Sequence, residues 1–254
     1  MLHADFLERA AATGWQTVQI ADNLPLADLP PRELDTLIQQ AVDSGLSLEV
    51  GARGLTEDNL ETHLAMARKC GAPLLRFVID GRGWQPSLDE AAGIIRQRLD
   101  DLDRFGITLA IENHDRFLGR DLSGFIDGIG SPRVGICLDS VNSLGAGEGF
   151  DTVLEWLAPH TVNLHIKDYS VRRLTHGMGF IVEGTPAGQG FLPIPSLVER
   201  LDAMGRCGTA VLELWPPWAG DVEGTIAREQ AWIDESAAYL RRFFPLPDGQ
   251  RTTG

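Results

Sequence analysis

The feature that most constrains the fold of this chain is a repeated alternation of helical segments and short apolar segments. Glycines such as Gly45, Gly71 and Gly106 separate a predicted helix from a following apolar run. Glycine is common just after helices, and short β-branched runs are typical of buried strands. The alternation therefore favours right-handed βαβ units around a parallel sheet. The predicted strands cover residues 16–21, 46–50, 73–79, 107–112, 134–139, 161–166 and 209–214. The predicted helices cover residues 4–13, 31–44, 57–70, 88–105, 150–157, 194–204 and 224–244, with one shorter helix after residue 112.

The number of strands points to a barrel with one strand fewer than usual. The 254 residues, 43% of them hydrophobic, suit a single (β/α) barrel, which typically needs about 250 residues. We predict one TIM-type α/β barrel domain over residues 1–244 and a flexible polar tail over residues 245–254. Seven strands are detectable, and the chain opens on a helix. Either the first strand is missing at the N-terminus, or the barrel is open at one seam.

Charge and cysteine content exclude several classes of partner. The net charge of −14 argues against nucleic acid and against an anionic membrane surface, since both attract clustered Lys and Arg. Cys70, Cys137 and Cys207 are widely spaced and form no CxxC motif, which favours a reducing cytoplasmic compartment. No run approaches the ~18 apolar residues of a membrane span. We expect a cytoplasmic protein that acts on a small molecule.

Four predicted strands end at or near a side chain that can bind a divalent metal. These side chains are Glu112, Asp139, His165 and Glu213. The carboxyl ends of parallel barrel strands meet on one face, so the four groups are expected to converge. An oxygen-rich site with one imidazole suits Mn²⁺, which we favour, or Mg²⁺ or Co²⁺. The alternative for any single residue is a helix cap or an ion pair.

The order of these groups resembles a known superfamily. Glu112-Asn-His, then Asp139, then His165-Ile-Lys-Asp, then Glu213 is similar to the xylose-isomerase-like TIM barrels, which include sugar phosphate isomerases and epimerases. The resemblance implies that the four residues close the fifth to eighth strands, which makes the absent strand the first. It also implies that Glu112 and Glu213 act as base and acid. The substrate would be a sugar or sugar acid that reacts through a metal-stabilised enediolate.

One position departs from the pattern of the ketose epimerases in this superfamily. They carry a His three residues after the metal-binding Asp, where this chain has Asn142, which does not titrate near neutral pH. The runs around Asn142 and residues 178–184 resemble a branch that includes decarboxylases of 3-oxo sugar acids such as 3-oxo-isoapionate. Two reactions stay open: isomerisation or epimerisation, and decarboxylation.

Further residues are candidates for substrate binding. Lys167 lies two residues after His165, so it points to the same side of the strand. The glycine-rich segment 172–190 is predicted to be a long loop over the site, where its cations hold a carboxylate or phosphate, or else form a solvated charge pair. The candidates are His114, Asn142, Lys167, Arg172, Arg173 and Trp84. Glu49 and Arg76 face either the pocket or a barrel salt bridge, and Cys137 is interpreted as a core residue.

Of two other classes, one is excluded and one stays as an alternative. The endonuclease IV branch shares the barrel but needs more histidines than the six present here. A degenerate barrel that binds a partner without catalysis would fit an absent first strand. A homo-oligomer is compatible with either reading, since an open seam leaves strand edges that can pair.

Overall fold

A computed structural model describes residues 3–245 and contains one large parallel sheet. The strands are β1 (Thr17–Ile20), β2 (Ser47–Arg53), β3 (Leu74–Val78), β4 (Thr108–Glu112), β5 (Val134–Asp139), β6 (Thr161–Ile166), β7 (Tyr169–Arg173), β8 (Phe180–Gly184) and β9 (Thr209–Leu212). Seven of them pair in parallel in the order β1-β2-β3-β4-β5-β6-β9, while β7 and β8 form a separate antiparallel hairpin. The seven parallel strands are those predicted from the sequence.

Helices connect the strands as a (β/α) barrel requires. They are α1 (His3–Thr13), α2 (Pro31–Asp43), α3 (Glu57–Cys70), α4 (Leu88–Arg96), α5 (Leu99–Phe105), α6 (Gly119–Ile129), α7 (Phe150–Leu157), α8 (Ile194–Met204) and α9 (Val222–Leu240). The prediction of one helix over residues 88–105 is wrong, because Arg98 adopts φ −116° and ψ 6° and separates α4 from α5. None of the described helices is both long and apolar enough to cross a membrane.

Local signals in the sequence account for several helix boundaries. The Thr56 side chain accepts a hydrogen bond from the Asn59 amide and begins α3, which ends at Gly71 with a φ of 64°. Ser87 and Glu90 cap α4 reciprocally through side chain and backbone, the arrangement known as a capping box. A left-handed residue after a helix favours glycine, because other side chains clash there. These boundaries therefore follow from neighbouring residues in the chain.

The strands bury different residues on their two faces. Leu75 and Phe77 of β3 are fully buried and belong to the main core between sheet and helices. Leu74 and Arg76 alternate with them and lie on the inner side of the barrel. A register shift between β5 and β6 at Ile136 and Cys137 pairs Cys137 with Asn163 and Asp139 with His165. This irregularity places Asn163 and His165 on the inner side.

The barrel is nearly closed, with one seam between β1 and β9. These are the two edges of the seven-stranded sheet, and no ladder joins them within residues 3–245. Their Cα atoms nevertheless come within 8 Å of each other, compared with about 4.8 Å between paired strands. The predicted TIM-type barrel with seven strands is therefore confirmed. The predicted flexible tail, apart from Pro245, lies outside the described residues.

The prediction of a long loop over residues 172–190 is wrong for the first half of that segment. Residues Tyr169–Arg173 and Phe180–Gly184 pair as the β7–β8 hairpin. Gly177 and Gly179, with φ of 80° and 86°, lie in its turn. The glycines made the segment look irregular, although they serve the turn and leave the flanking residues free to pair.

Candidate functional site

The four strand-end residues come together at the carboxyl end of the barrel. Glu112 and Asp139 are the last residues of β4 and β5, His165 is the penultimate residue of β6, and Glu213 directly follows β9. The Glu213 amide donates to the Ile166 carbonyl at 3.0 Å, which continues the ladder between β6 and β9. Nδ1 of His165 lies 2.9 Å from Oε2 of Glu213 and 3.8 Å from Oε2 of Glu112. Asp139, His165 and Glu213 each offer a donor atom within 4.8 Å of the others.

Cys137 lies in the same cluster, although its position in a strand suggested a plain core residue. Glu112, Cys137 and His165 also offer donor atoms within 4.8 Å of one another. The thiol is fully buried and donates to Oδ1 of Asn163 at 3.1 Å. Burial, reinforced by the negative charge of Glu112, raises the pKa of Cys137 well above its ordinary value. The thiolate is therefore disfavoured, and the carboxylates and the imidazole are the stronger donors.

Both carboxylate oxygens of Asp139 accept hydrogen bonds, which fix the side chain. Oδ1 accepts from the amides of Val141 at 2.7 Å and Asn142 at 2.8 Å. Oδ2 accepts from Nζ of Lys167 at 3.0 Å. The Asp139 amide also donates to Oδ1 of Asn113 at 2.7 Å. The carboxylate thus needs little reordering when a cation binds.

Lys167 joins two of the acidic groups. Its Nζ lies 3.0 Å from Oδ2 of Asp139 and 2.8 Å from Oε1 of Glu213. Burial by itself lowers the pKa of Lys167, but the charges of Asp139 and Glu213 outweigh it and raise that pKa. Likewise, burial raises the pKa of Glu213, but the hydrogen bond with His165 and the charge of Lys167 lower it. Lys167 is therefore an ammonium cation at neutral pH.

Glu112 contacts both Asn142 and Arg76. Its Oε1 accepts from Nδ2 of Asn142 at 2.9 Å. Its Oε2 lies 2.8 Å from Nε of Arg76, but the geometry is not that of a hydrogen bond, so both buried atoms lack one. Burial raises the pKa of Glu112, against the opposing charges of Arg76 and His165. Arg76 thus takes both roles considered from the sequence, since it forms a barrel ion pair and lines the pocket described below.

A polar network below the site was not found from the sequence. Nε2 of His165 and Oε1 of Gln19 are 2.9 Å apart. Gln19 donates through Nε2 to Oε2 of Glu49 at 2.9 Å, and Thr209 donates to Oε1 of Glu49 at 2.6 Å. Asn163 donates to Oγ1 of Thr209 at 2.8 Å. The signal was alternation along the predicted strands, which puts Gln19 and Asn163 on the same face as the site.

These contacts fit a divalent cation. Nδ1–H of His165 can donate to Glu213. In the neutral tautomer whose Nε2–H donates to Gln19, the lone pair of Nδ1 instead faces the carboxylates of Glu213 and Glu112. A lone pair beside carboxylate oxygens is unfavourable unless a cation lies among them. The buried Oε2 of Glu112 also makes no hydrogen bond. Three carboxylates and one imidazole are donors suited to Mg²⁺ or Mn²⁺.

The other predicted substrate-binding residues contact residues outside the strand-end cluster. Nδ1 of His114 lies 2.6 Å from Oδ1 of Asp115. Trp84 donates through its indole to the Leu55 carbonyl at 2.8 Å and is 38% exposed. Arg172 pairs with Glu183 across the hairpin, and Arg173 stacks on Phe180, which is in the same hairpin. Asn142 and Lys167 contact the strand-end cluster directly.

A cavity of about 470 Å³ extends from the site along the seam between β1 and β9. Two members of the strand-end cluster line it, together with residues of β1, of β9 and of helices α1 and α9. Among its lining residues are Phe6 of α1, Gln19, Arg76, His165, Glu213 and Ile233 of α9. The cavity therefore borders the strand-end cluster at His165 and Glu213.

Comparison with known proteins identifies the family. The profile of the xylose isomerase-like TIM barrels matches residues 7–243, so the chain belongs to this family. The resemblance stated from the strand-end residues is confirmed. A 3-oxo-isoapionate decarboxylase from Pectobacterium atrosepticum is 36% identical over 237 residues, which are 93% of this chain and 86% of that protein.

Solved structures share the fold at lower identity. A D-psicose 3-epimerase, determined in the presence of D-fructose, superposes with a TM-score of 0.73 and 16% identity, covering 96% of this chain and 94% of that chain. A xylose isomerase-like TIM barrel protein from Mycobacterium smegmatis, in complex with magnesium, gives 0.71 and 18%, covering 93% and 88%. At these identities the likeness establishes the barrel and leaves the reaction open.

Proposed function

We propose that this protein is a metal-dependent decarboxylase of a 3-oxo sugar acid. The observation that carries the proposal is the cluster of Glu112, Asp139, His165 and Glu213 with the Lys167 ammonium held between two of its carboxylates. The 36% identity with the 3-oxo-isoapionate decarboxylase over most of both chains supports the choice of reaction.

The reaction needs positive charge beside one oxygen of the substrate. When a 3-oxo acid loses CO₂, the bond between the carboxyl carbon and C2 breaks. The electron pair moves onto C2 and the 3-oxo oxygen, which gives an enediolate if C2 carries a hydroxyl. A proton then returns to C2. Preorganised cations and donors at the developing oxyanion are the usual largest source of acceleration for such a step.

The residues of the site divide these tasks. A divalent ion, held by Glu112, Asp139, His165 and Glu213, supplies Lewis-acid stabilisation of the negative oxygen when it is bound. Lys167 donates a hydrogen bond to the same oxygen. Asn142 orients Glu112 through its amide. Water supplies the proton that returns to carbon, and the Glu112 carboxyl group, whose pKa burial raises, relays it. Glu213, whose pKa is lowered, stays a carboxylate ligand.

Isomerisation or epimerisation of a sugar is the second candidate. It uses the same enediolate, and the pair formed by Glu112 and Glu213 favours it, since two carboxyl groups can exchange protons with the substrate. Asn142 argues against it, because an amide cannot replace the titratable His that the ketose epimerases carry at this position. The reaction test separates the two candidates.

The test compares two classes of substrate in one buffer. The purified protein is incubated in D₂O with 3-oxo sugar acids and with neutral keto sugars, while CO₂ and deuterium incorporation are measured. We expect CO₂ release from the acid. Deuterium incorporation into keto sugars without CO₂ release from any acid would overturn the decarboxylase and favour the epimerase.

Metal dependence has its own measurement. Metal content by mass spectrometry should fall in Glu112→Gln, Asp139→Asn, His165→Ala and Glu213→Gln variants. Chelation should abolish activity, and added Mn²⁺ or Mg²⁺ should restore it. Glu199→Gln, at an exposed position of α8, is the matched control and should keep the metal. Unchanged metal content in all four variants would overturn the assignment of these ligands.

A further inference from the structure

We propose that Arg76, together with Arg53, binds the carboxylate of the substrate inside the seam cavity, so that the site selects a sugar acid over the corresponding neutral sugar. The inference rests on the proposed function, because it assigns the part of that site that recognises the acid group. The observation behind it is the buried Arg76 guanidinium, which lies beside the strand-end cluster and has an N–H donor without a hydrogen-bond acceptor.

Arg76 is an unusual buried cation. It lies in β3 with 11% of its side chain exposed, and it lines the seam cavity together with His165 and Glu213. Neither Nε nor Nη1 makes a hydrogen bond within the described structure. Nε already faces Oε2 of Glu112 at 2.8 Å, whereas the nearest carboxylate oxygen of Asp22 is 3.8 Å from Nη1. Buried N–H donors nearly always have an acceptor, so a ligand oxygen is the expected partner of Nη1. A guanidinium presents its donors as a planar fork that matches a carboxylate.

The contacts of Asp22 mark where such a carboxylate sits. This residue follows β1 at the mouth of the cavity, and its side chain is 49% exposed. Its Oδ1 lies 3.8 Å from Nη1 of Arg76, and its Oδ2 lies 3.6 Å from Nε of Arg53. A carboxylate therefore stands between the two guanidinium groups, yet beyond hydrogen-bond distance of both. The gap leaves their donors available to a second carboxylate that approaches more closely.

The charge balance also favours an anion at this place. Arg76 is paired with Glu112, and in the proposed function an oxygen of Glu112 belongs to a divalent cation. The carboxylate charge is then shared, and the guanidinium gains capacity for a further anion. Lys167, which contacts Asp139 and Glu213, is assigned to the developing oxyanion in the proposed function and not to the carboxylate. The hairpin cation Arg172 is paired with Glu183.

The subsite sets the direction of the substrate. The carboxylate lies toward Arg76 and the seam, and the rest of the molecule extends toward Lys167 and the strand-end cluster. This direction keeps the carbon that loses CO₂ between the acid-binding arginines and the groups that stabilise the oxyanion. Because the carboxylate is bound before it departs, removal of Arg76 should act mainly on substrate affinity.

The experiment uses two unreactive ligands that differ only in the acid group. L-Threonate and L-threitol share one four-carbon chain, with a carboxylate in the first and a hydroxymethyl group in the second. Binding of each to the metal-loaded protein is measured by calorimetry at fixed ionic strength. We expect the wild type to prefer threonate by at least about tenfold, the lower end for a charge-assisted hydrogen bond. Equal affinity for the two ligands in the wild type would overturn the inference.

The variants change the preference in opposite directions. Arg76→Gln should weaken threonate binding by roughly 10- to 150-fold and leave threitol within about twofold. Arg53→Gln should also weaken threonate. Asp22→Asn should strengthen threonate, because it removes a competing carboxylate. A purely structural role for Arg76 would not give this last effect, and weaker threonate binding by Asp22→Asn would contradict the proposal.

Two controls keep the test decisive. Arg200→Gln removes a positive charge at an exposed position of α8 that does not line the cavity. It should leave the affinities for threonate and threitol unchanged. If Arg76→Gln does not fold, which circular dichroism reports, Arg53→Gln and Asp22→Asn still decide, since both residues are about half exposed. Selective threonate binding without CO₂ release from any 3-oxo acid overturns the proposed function alone. CO₂ release with a KM unaffected by the arginine variants overturns the subsite alone.

Discussion

Lys167 determines how much positive charge stands beside the four strand-end groups. Its ammonium contacts carboxylates of Asp139 and Glu213 at 3.0 and 2.8 Å, and these charges raise the pKa of Lys167 in spite of its burial. An amine that stays protonated is a poor nucleophile and a good hydrogen-bond donor. The residue therefore suits stabilisation of an oxyanion better than formation of a Schiff base.

We predict that Lys167→Met lowers kcat for CO₂ release by about 10²- to 10³-fold, the usual cost of removing one oxyanion donor. Lys167→Arg should restore part of the loss, since it restores a cation. Steady-state kinetics with metal analysis of each variant checks this. A kcat close to that of the wild type, with metal content retained, would contradict the role.

Glu49 lies below the site and carries a different kind of prediction. Burial raises the pKa of Glu49 above 4.5, although hydrogen bonds from Thr209 and Gln19 oppose the shift. An acid whose folded pKa is raised binds its proton more tightly in the folded state. Its full contribution to stability is therefore present below about pH 4.5 and is lost as the pH rises through the folded pKa.

We predict that Glu49→Gln removes this loss. Relative to the wild type, the variant should gain up to about 1.4 kcal/mol of unfolding free energy per pH unit across the window above pH 4.5. Urea denaturation at several pH values measures the difference. Parallel stability curves for the two proteins would show that Glu49 does not titrate in this window.

At the scale of elements, boundaries set by neighbouring residues were easier to predict than pairings between segments. The capping residues of α3 and the glycines after α3 and α5 lie next to the helices they end. The β7–β8 hairpin instead depends on cross-strand pairs such as Val171 with Val182. Both of these side chains are exposed, so the sequence did not show the apolar pattern by which buried strands are predicted.

The capping box of α4 gives a stability prediction. Ser87→Ala should cost about 1 kcal/mol of unfolding free energy at neutral pH. Hydrogen bonds from Ser87 lower the pKa of Glu90, so this contribution is present above the unfolded pKa and is lost as the pH falls. The destabilisation should therefore shrink in acid, as thermal denaturation at two pH values would show. Ser196→Ala, whose hydroxyl donates to the Pro193 carbonyl, is the matched control; an equal cost there would contradict the cap.

For the whole molecule, the seam between β1 and β9 affects both the stability of the barrel and the cavity beside the candidate site. Every residue of β3 is buried, whereas all four residues of β9 are partly exposed. Within residues 3–245, the outer edges of β1 and β9 lack a partner strand. The same gap that weakens the barrel there forms the cavity that borders the site.

We predict that amide hydrogens of β1 and β9 exchange with solvent faster than those of β3, β4 and β5. Edge strands with few buried contacts open at lower free energy than central strands. Hydrogen exchange followed by mass spectrometry, with peptides that cover each strand, measures the difference. Equal protection of all seven strands would indicate that the seam is closed in solution.

The sequence by itself determined the seven strands, their order in the chain and the residues at their carboxyl ends. These features depend on local patterns of apolar residues, glycines and caps, which act over a few positions. The sequence also indicated the family, because a recognisable order is followed by Glu112, Asp139, His165 and Glu213.

Only the tertiary structure decided which side chains meet. Gln19 reaches His165 across 146 positions of sequence, and Arg76 finds Glu112 on the neighbouring strand. The ion pairs of Lys167 with Asp139 and Glu213 likewise depend on how the sheet curves. So does the cavity along the seam. Contacts of this kind arise from the register and closure of the barrel, which no single segment encodes.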